Sequence, residues 1–357
     1  MRSIWLHGAS VGDMRSLHPI YRGLRQCQPQ TAFWITAWTE HGRHLGQQIF
    51  DHASVTRPPL PWSPVCVRSL QHRQVQCAVF EYLELWPAWT KACEQFGIPM
   101  VIVDGRITQK TMRIAPILRR AASRIHAFCA QTDADAEAAV RLGIPPKRVH
   151  VMGNSKFDGF PDGPAQPTQN LQRAVGCRDV IVGSLHADEE VDFVRACIRS
   201  KVRILVAPRY LARVGPLYRA LKRRGIDVGL RSRGAESARV AILDTIGELA
   251  AAYGLAPVAV IGGTFGRRQG QNLFEAALHN RLIFFGPNHR NVVLEVKCLS
   301  GHGAECVPTL DVAMRLIETS LPERTATTYD ALLTLRGAAA RQVRLIETLL
   351  DGARPNR

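Results

Sequence analysis

Short apolar runs rich in Val, Ile and Phe alternate along this chain with stretches in which apolar residues return every three or four positions. Runs of the first kind read as strands buried on both faces of a parallel sheet, and stretches of the second kind as amphipathic helices. The series opens with Ser3 to His7, followed by a small-residue loop, Gly8-Ala9-Ser10-Val11-Gly12-Asp13, and then by helical spacing of Met14, Leu17, Ile20, Tyr21 and Leu24. Strands are predicted again at Ala32 to Ala37, Cys77 to Leu83, Pro99 to Val103, Ile125 to Ala130 and Arg148 to Met152. The stretch Gly159 to Gln169 interrupts the alternation with Pro and Gly and reads as a linker. A second series follows at Val180 to Gly183, Ile204 to Ala207, Val240 to Leu243, Val258 to Ile261 and Leu282 to Phe285, and the chain from Val312 onward is predicted helical. Such alternation specifies an α/β protein with two Rossmann-like lobes on parallel sheets. The expected division is a first lobe over 1–160, a linker over 161–170, a second lobe over 171–320 and a helical segment over 321–357.

Polar residues gather where the predicted strands end, the edge at which open α/β sheets bind ligands. The densest case runs from Val258 to Asn291. Gly262-Gly263 ends its first strand and lets backbone approach a ligand closely, because no Cβ intervenes. Arg267, Arg268 and Gly270 follow, and Asn272 is placed to cap a helix through Phe274, Ala276, Ala277 and Leu278. Unpaired N–H groups at such a helix start, beside arginines, predict an anion site. Glu275 falls in the first turn, where a carboxylate can accept paired ribose hydroxyls. The stretch reads as a nucleotide-sugar cradle; the plainer alternative is a strand-helix-strand unit with turn glycines. Asp13 occupies the same kind of edge in the first half, and as a plain helix cap it would contribute about 1 kcal/mol.

Composition narrows the partners. The chain has 357 residues, 46% of them apolar, enough for two domains with sizeable cores. Its 46 Lys+Arg against 30 Asp+Glu leave a net charge of +16. Unless that reflects a general arginine bias, it implies an acidic partner: nucleic acid, anionic membrane or phosphorylated substrate. No interleaving of aromatic and basic residues accompanies it, so no nucleic-acid partner is expected. The nine cysteines form no CxxC pair and read as small buried hydrophobes in a reducing compartment. His41 and His44 share a helix face without an evident third ligand, so they read as surface histidines and no metal site is expected. No stretch reaches the length of a membrane span, and the start lacks the apolar core of a signal peptide. A cytoplasmic location is expected, with peripheral contact on the cytosolic face of a membrane.

The short motifs, taken in order, resemble the Kdo transferases, the 3-deoxy-D-manno-octulosonic acid transferases of lipopolysaccharide assembly. The resemblance runs from about Ile4 to Val307 and is carried by HGASVGD from His7, ELWP from Glu84, DGRIT from Asp104, AQTDAD from Ala130 and GNSKFD from Gly153. It continues in SLH from Ser184, APR from Ala207, DTIGEL from Asp244, GGT from Gly262, GQNLFEAA from Gly270 and GPNHRN from Gly286. The resemblance implies a glycosyltransferase-B fold with a cleft between the lobes, and metal-independent, inverting transfer of Kdo from CMP-Kdo to a phosphorylated lipid A precursor. It implies no cofactor beyond the CMP-activated substrate, and an acceptor that is an anionic, lipid-linked saccharide at the inner membrane. By position, Asp13 matches the catalytic carboxylate. Ser10, Gly12, Glu84 and Arg106 fall on the acceptor side. Lys156, Ser184, His186, Arg209, Gly247, Gly262, Gly263, Asn272, Glu275 and Asn291 fall on the donor side, with Glu275 matching the ribose-binding acid.

The chain departs from the family pattern in several places. Asp13 stands where the family has Glu, Tyr82 where an acid precedes ELWP, and Asp104 where the family has Asn. Gln271 replaces His and Leu273 replaces Pro. The donor half keeps its motifs better than the acceptor half, which implies a diverged member with a changed acceptor. Two other readings share the composition: an enzyme of the same fold using another nucleotide sugar, an epimerase included, and a catalytically inactive basic binding protein.

Overall fold

The computed structural model describes residues 2–320 and 325–352 and divides into two compact units, Met1–Phe160 with Leu335–Arg357, and Pro161–Thr334. The first unit carries β1 (Ser3–His7), β2 (Ala32–Thr36), β3 (Ser54–Thr56), β4 (Val75–Glu81), β5 (Met100–Gly105), β6 (Ala127–Ala130) and β7 (Val149–Val151). They form one sheet in the order β3-β2-β1-β4-β5-β6-β7, and every pairing is parallel. Alternate residues enter two cores. Trp5, Ala78, Phe80, Met100 and Ile102 face one, and Ile4, Leu6, Cys77, Val79, Val101 and Val103 face the other. Burial on both faces is why these strands read as continuous apolar runs.

The second unit repeats the plan with β8 (Val180–Leu185), β9 (Ile204–Pro208), β10 (Val228–Leu230), β11 (Val240–Ile242), β12 (Val258–Ile261), β13 (Leu282–Phe285) and β14 (Ala304–Cys306). Their order is β10-β11-β9-β8-β12-β13-β14, again all parallel. Two such Rossmann-like units on parallel sheets are the glycosyltransferase-B architecture. In each sheet the chain crosses from one side of its first strand to the other, between β1 and β4 and between β8 and β12, and in the second sheet β11 inserts between β9 and the edge strand β10. At such a point the connections leave on opposite faces and a crevice opens at the strand ends.

Three edge strands, β3, β10 and β14, were not predicted. Each is only 3 residues long, too short for a periodicity of its own, and takes its identity from the neighbour it pairs with. The helical segment expected over 321–357 is divided instead. Helix Thr328–Leu333 belongs to the second unit and helix Ala338–Gly352 to the first, while the expected start at 321 lies outside the described residues. Ala339, Val343, Ile346 and Leu350 of the last helix enter the same core as Met14, Leu17 and Ile20. Gly23 makes that approach possible: a Cβ there would lie 2.8 Å from Val343 Cγ2.

Candidate functional site

In the first unit the β1 loop leads into helix Val11–Cys27, with Ser10 as its cap. Asp13, in the first turn, folds back so that Oδ2 accepts from the Ser10 N–H at 2.7 Å and from Ser10 Oγ at 3.1 Å. The cap role weighed for Asp13 is therefore present in the geometry. Partial burial raises its carboxyl above the ordinary range, and the Ser10 hydrogen bonds pull the other way. Gly12 is exposed beside it; a Cβ there would meet nothing closer than Ser10 Oγ at 3.7 Å.

Across the reversal point, β4 ends in Glu81 and turns through Tyr82, whose φ of 55 lies in the left-handed region. Glu84 follows; its Oε2 accepts from Trp86 Nε1 at 2.7 Å, and burial, its largest influence, raises its carboxyl. Arg106 follows the end of β5. Glu81 was assigned no role from sequence because it falls out of step with ELWP, yet it is 1% exposed and lies beside the Asp104 carboxyl. Burial, then the neighbouring Asp104 and Asp13, hold it well above the carboxylate range. Asp104 is buried too, with φ 50. It accepts from the Ser155 N–H at 2.8 Å and from Gln342 Nε2 at 2.7 Å, and also from the Ser155 hydroxyl. Burial raises it to about 6 against those bonds. The last helix thus supplies Gln342 to the floor beneath Asp13's edge.

In the second unit the reversal point brings together Ser184 near the end of β8 and His186 just after it with Gly262 and Gly263 after β12. Ser184 has φ 56 and Gly263 φ 71. Gly262 is required by crowding, since a Cβ would lie 2.6 Å from Ser184 O. His186 Nε2 lies 3.2 Å from Gln271 Nε2. Burial lowers the imidazole below its usual range, so it stays neutral and accepts from the amide. The Arg209 backbone N–H donates to Leu185 O at 2.8 Å, leaving an exposed guanidinium at the same edge.

The anion cradle read at Gly262 to Asn272 requires correction. Helix Phe274–Leu278 is 5 residues long and begins after Leu273; Asn272 Oδ1 accepts from the Phe274 N–H at 2.8 Å. The backbone donors that do converge after β12 are already occupied. Glu189, 1% exposed, accepts from His186 N at 2.9 Å, Gly263 N at 2.8 Å, Phe265 N at 2.9 Å and Gly266 N at 3.2 Å. Asp188 Oδ2 accepts from Arg267 N at 2.7 Å. Sequence reasoning named neither acid. The signal in the sequence was the acidic run Asp188-Glu189-Glu190, one residue after the SLH motif.

Glu275 lies in the first turn of its short helix, and burial raises its carboxyl. Asn291 donates from its backbone to Gln269 O at 2.7 Å, and Gly247 sits in an open turn with φ 87. Lys156, expected on the donor side, belongs to the first unit, where its ammonium lies 4.7 Å from the centre of the Phe157 ring. Geometry within the second unit therefore does not group it with the other donor residues.

Architecture defines the class of fold: two Rossmann-like units on parallel sheets, the glycosyltransferase-B type. Across its whole length the chain is similar to Anabaena HepE in complex with UDP, with a TM-score of 0.66 and 12% identity over 99% of this chain and 100% of that one, a likeness of fold. Residues 1–159 match the family described as 3-Deoxy-D-manno-octulosonic-acid transferase (kdotransferase). The 3-deoxy-D-manno-octulosonic acid transferase of Chlamydia pneumoniae is 28% identical over 341 residues, 88% of this chain and 77% of that protein. That of Bordetella pertussis is 27% identical over 312 residues, 81% and 72% of the two. The likeness to the Kdo transferases thus rests on a family match over somewhat less than half of the chain and on relatives 27–28% identical over most of it.

Proposed function

We propose that this protein transfers Kdo from CMP-Kdo, with inversion at the anomeric carbon, to a hydroxyl of a lipid A precursor or a related anionic saccharide. The observation that carries the reading is Asp13, a partly exposed carboxylate in the first helical turn after β1, at the reversal point of the first sheet. Its raised affinity for protons suits a general base, which works best when its pKa approaches the working pH. In the reaction, Asp13 takes the proton of the acceptor hydroxyl as that oxygen bonds the anomeric carbon, and the bond to the CMP phosphate breaks. Negative charge gathers on the departing phosphate, where the Arg209 guanidinium offsets it. Glu275 accepts the ribose hydroxyls, which a raised but still ionisable carboxyl can do. The departures at Tyr82, Asp104 and Gln271 favour an acceptor other than the family's usual one.

Two measurements on one sample test this. CMP is expected to raise the melting temperature above UDP and GDP, by about 2.7 kcal/mol of stabilisation at 100 times its dissociation constant. Asp13→Asn keeps the shape of the cap and removes the base, so single-turnover transfer is expected to fall by about two to four decades with CMP affinity nearly unchanged. Unchanged turnover, with a stability loss near 1 kcal/mol on Asp13→Ala, would leave Asp13 as a helix cap only.

A further inference from the structure

The cradle of N–H groups after β12 is built as an anion site, and its anion is part of the chain. Glu189 immediately precedes helix Glu190–Arg199, but its side chain makes no capping bond to that helix. It reaches instead to a loop 74–77 positions along the chain, tying Gly263, Phe265 and Gly266 with one carboxylate that also holds the His186 N–H. Its neighbour Glu190 does something different: it pairs with Arg213 at 2.6 Å. Four N–H donors converge on the two oxygens of one buried carboxyl group, which leaves neither oxygen without a donor. They join the two strand ends, β8 and β12, that flank the reversal point of this sheet.

We infer that Glu189 is a positioning residue of the donor site, a resident carboxylate that occupies the backbone cradle and fixes His186 and the Gly263 loop in register for the nucleotide. The inference rests on the donor reading proposed above. It carries a second consequence. With the cradle filled, the donor phosphate is left to side-chain cations at this edge, Arg209 among them, and not to the glycine loop. The carboxylate also keeps the loop from collapsing when no nucleotide is bound, since the N–H groups have an acceptor in either state.

The test begins with the unaltered protein. Amide hydrogen exchange resolved over 262–267 should show Gly263, Phe265 and Gly266 strongly protected without ligand; exchange at free-loop rates overturns the inference whatever the variants do. In Glu189→Gln the side-chain amide opposes two of the N–H donors, and protection there should fall about tenfold to a hundredfold, whereas Glu190→Gln should leave it intact. In the transfer reaction, Glu189→Gln should raise the donor KM about tenfold with kcat within about twofold, the KM change that follows from losing about one charged hydrogen bond. A merely structural defect would lower the active fraction, and so kcat, at constant KM; that pattern refutes positioning. If the unaltered protein binds none of CMP, UDP or GDP, the donor reading has failed and the positioning role falls with it. The exchange result then still decides whether the carboxylate clamp exists.

Discussion

At the scale of single residues, the most consequential surprise is Glu81. Its neighbours in sequence drew attention to ELWP and away from it, and nothing in a linear pattern distinguishes a buried acid at a strand end from a surface one. Burial and two nearby carboxyls push its pKa upward and so favour the protonated form, which differs little in shape from an amide. The sign of its pH effect follows. A carboxyl whose folded pKa lies above its unfolded value stabilises the fold fully at low pH and loses that contribution as pH rises. For Asp104 the window runs from its ordinary 3.8 to about 6; for Glu81 it begins at 4.5 and extends further upward. Glu81→Gln is therefore expected to melt with the parent near pH 4 and above it by several degrees at pH 8. Parallel melting curves across that range would show that Glu81 is ionised in the fold.

Among elements, the last helix shows how little the sequence says about destination. Ala338–Gly352 carries an apolar stripe that predicts a partner, and the partner is helix Val11–Cys27, more than three hundred positions earlier in the chain. The sequence signal for the contact is a glycine in the middle of the first helix, where it otherwise weakens helical structure. Gly23→Leu should force the helices apart, costing about 1–3 kcal/mol as overpacking. Cleavage by trypsin after Arg336 or Arg341 should then precede general digestion. Resistance equal to the parent's would mean that Gly23 is not what lets the last helix dock. Because Gln342 on the same helix bonds Asp104, the same variant should also slow transfer.

For the molecule as a whole, the net charge of +16 is the property that reaches furthest from the surface. No helix among the described residues is long and apolar enough to cross a membrane, so electrostatics would govern any contact with an anionic bilayer. Association with phosphatidylglycerol vesicles should be strong at about 0.1 M salt and largely gone near 1 M, as the Debye length contracts from about 10 Å to about 3 Å. Sedimentation of protein with vesicles measures it, and binding undiminished at high salt would point to apolar insertion.

What the sequence determined by itself is local. The bounds of β1, β12 and β13, the alternation of strand and helix, and the crowding of polar residues at strand ends all follow from side-chain chemistry within a few positions, and the short motifs carry the resemblance to the Kdo transferases. Tertiary structure decided the rest. The order of strands in each sheet turned two ordinary loops into facing edges of a reversal point, which no periodicity encodes. The edge strands β3, β10 and β14 exist because a neighbour offers hydrogen bonds, not because their own residues demand it. Asp104 and Gln342, and Glu189 and Gly263, meet across separations of 238 and 74 positions. A carboxylate's role, whether cap, base or resident anion, depends on which N–H groups and how much water surround it once the chain has folded.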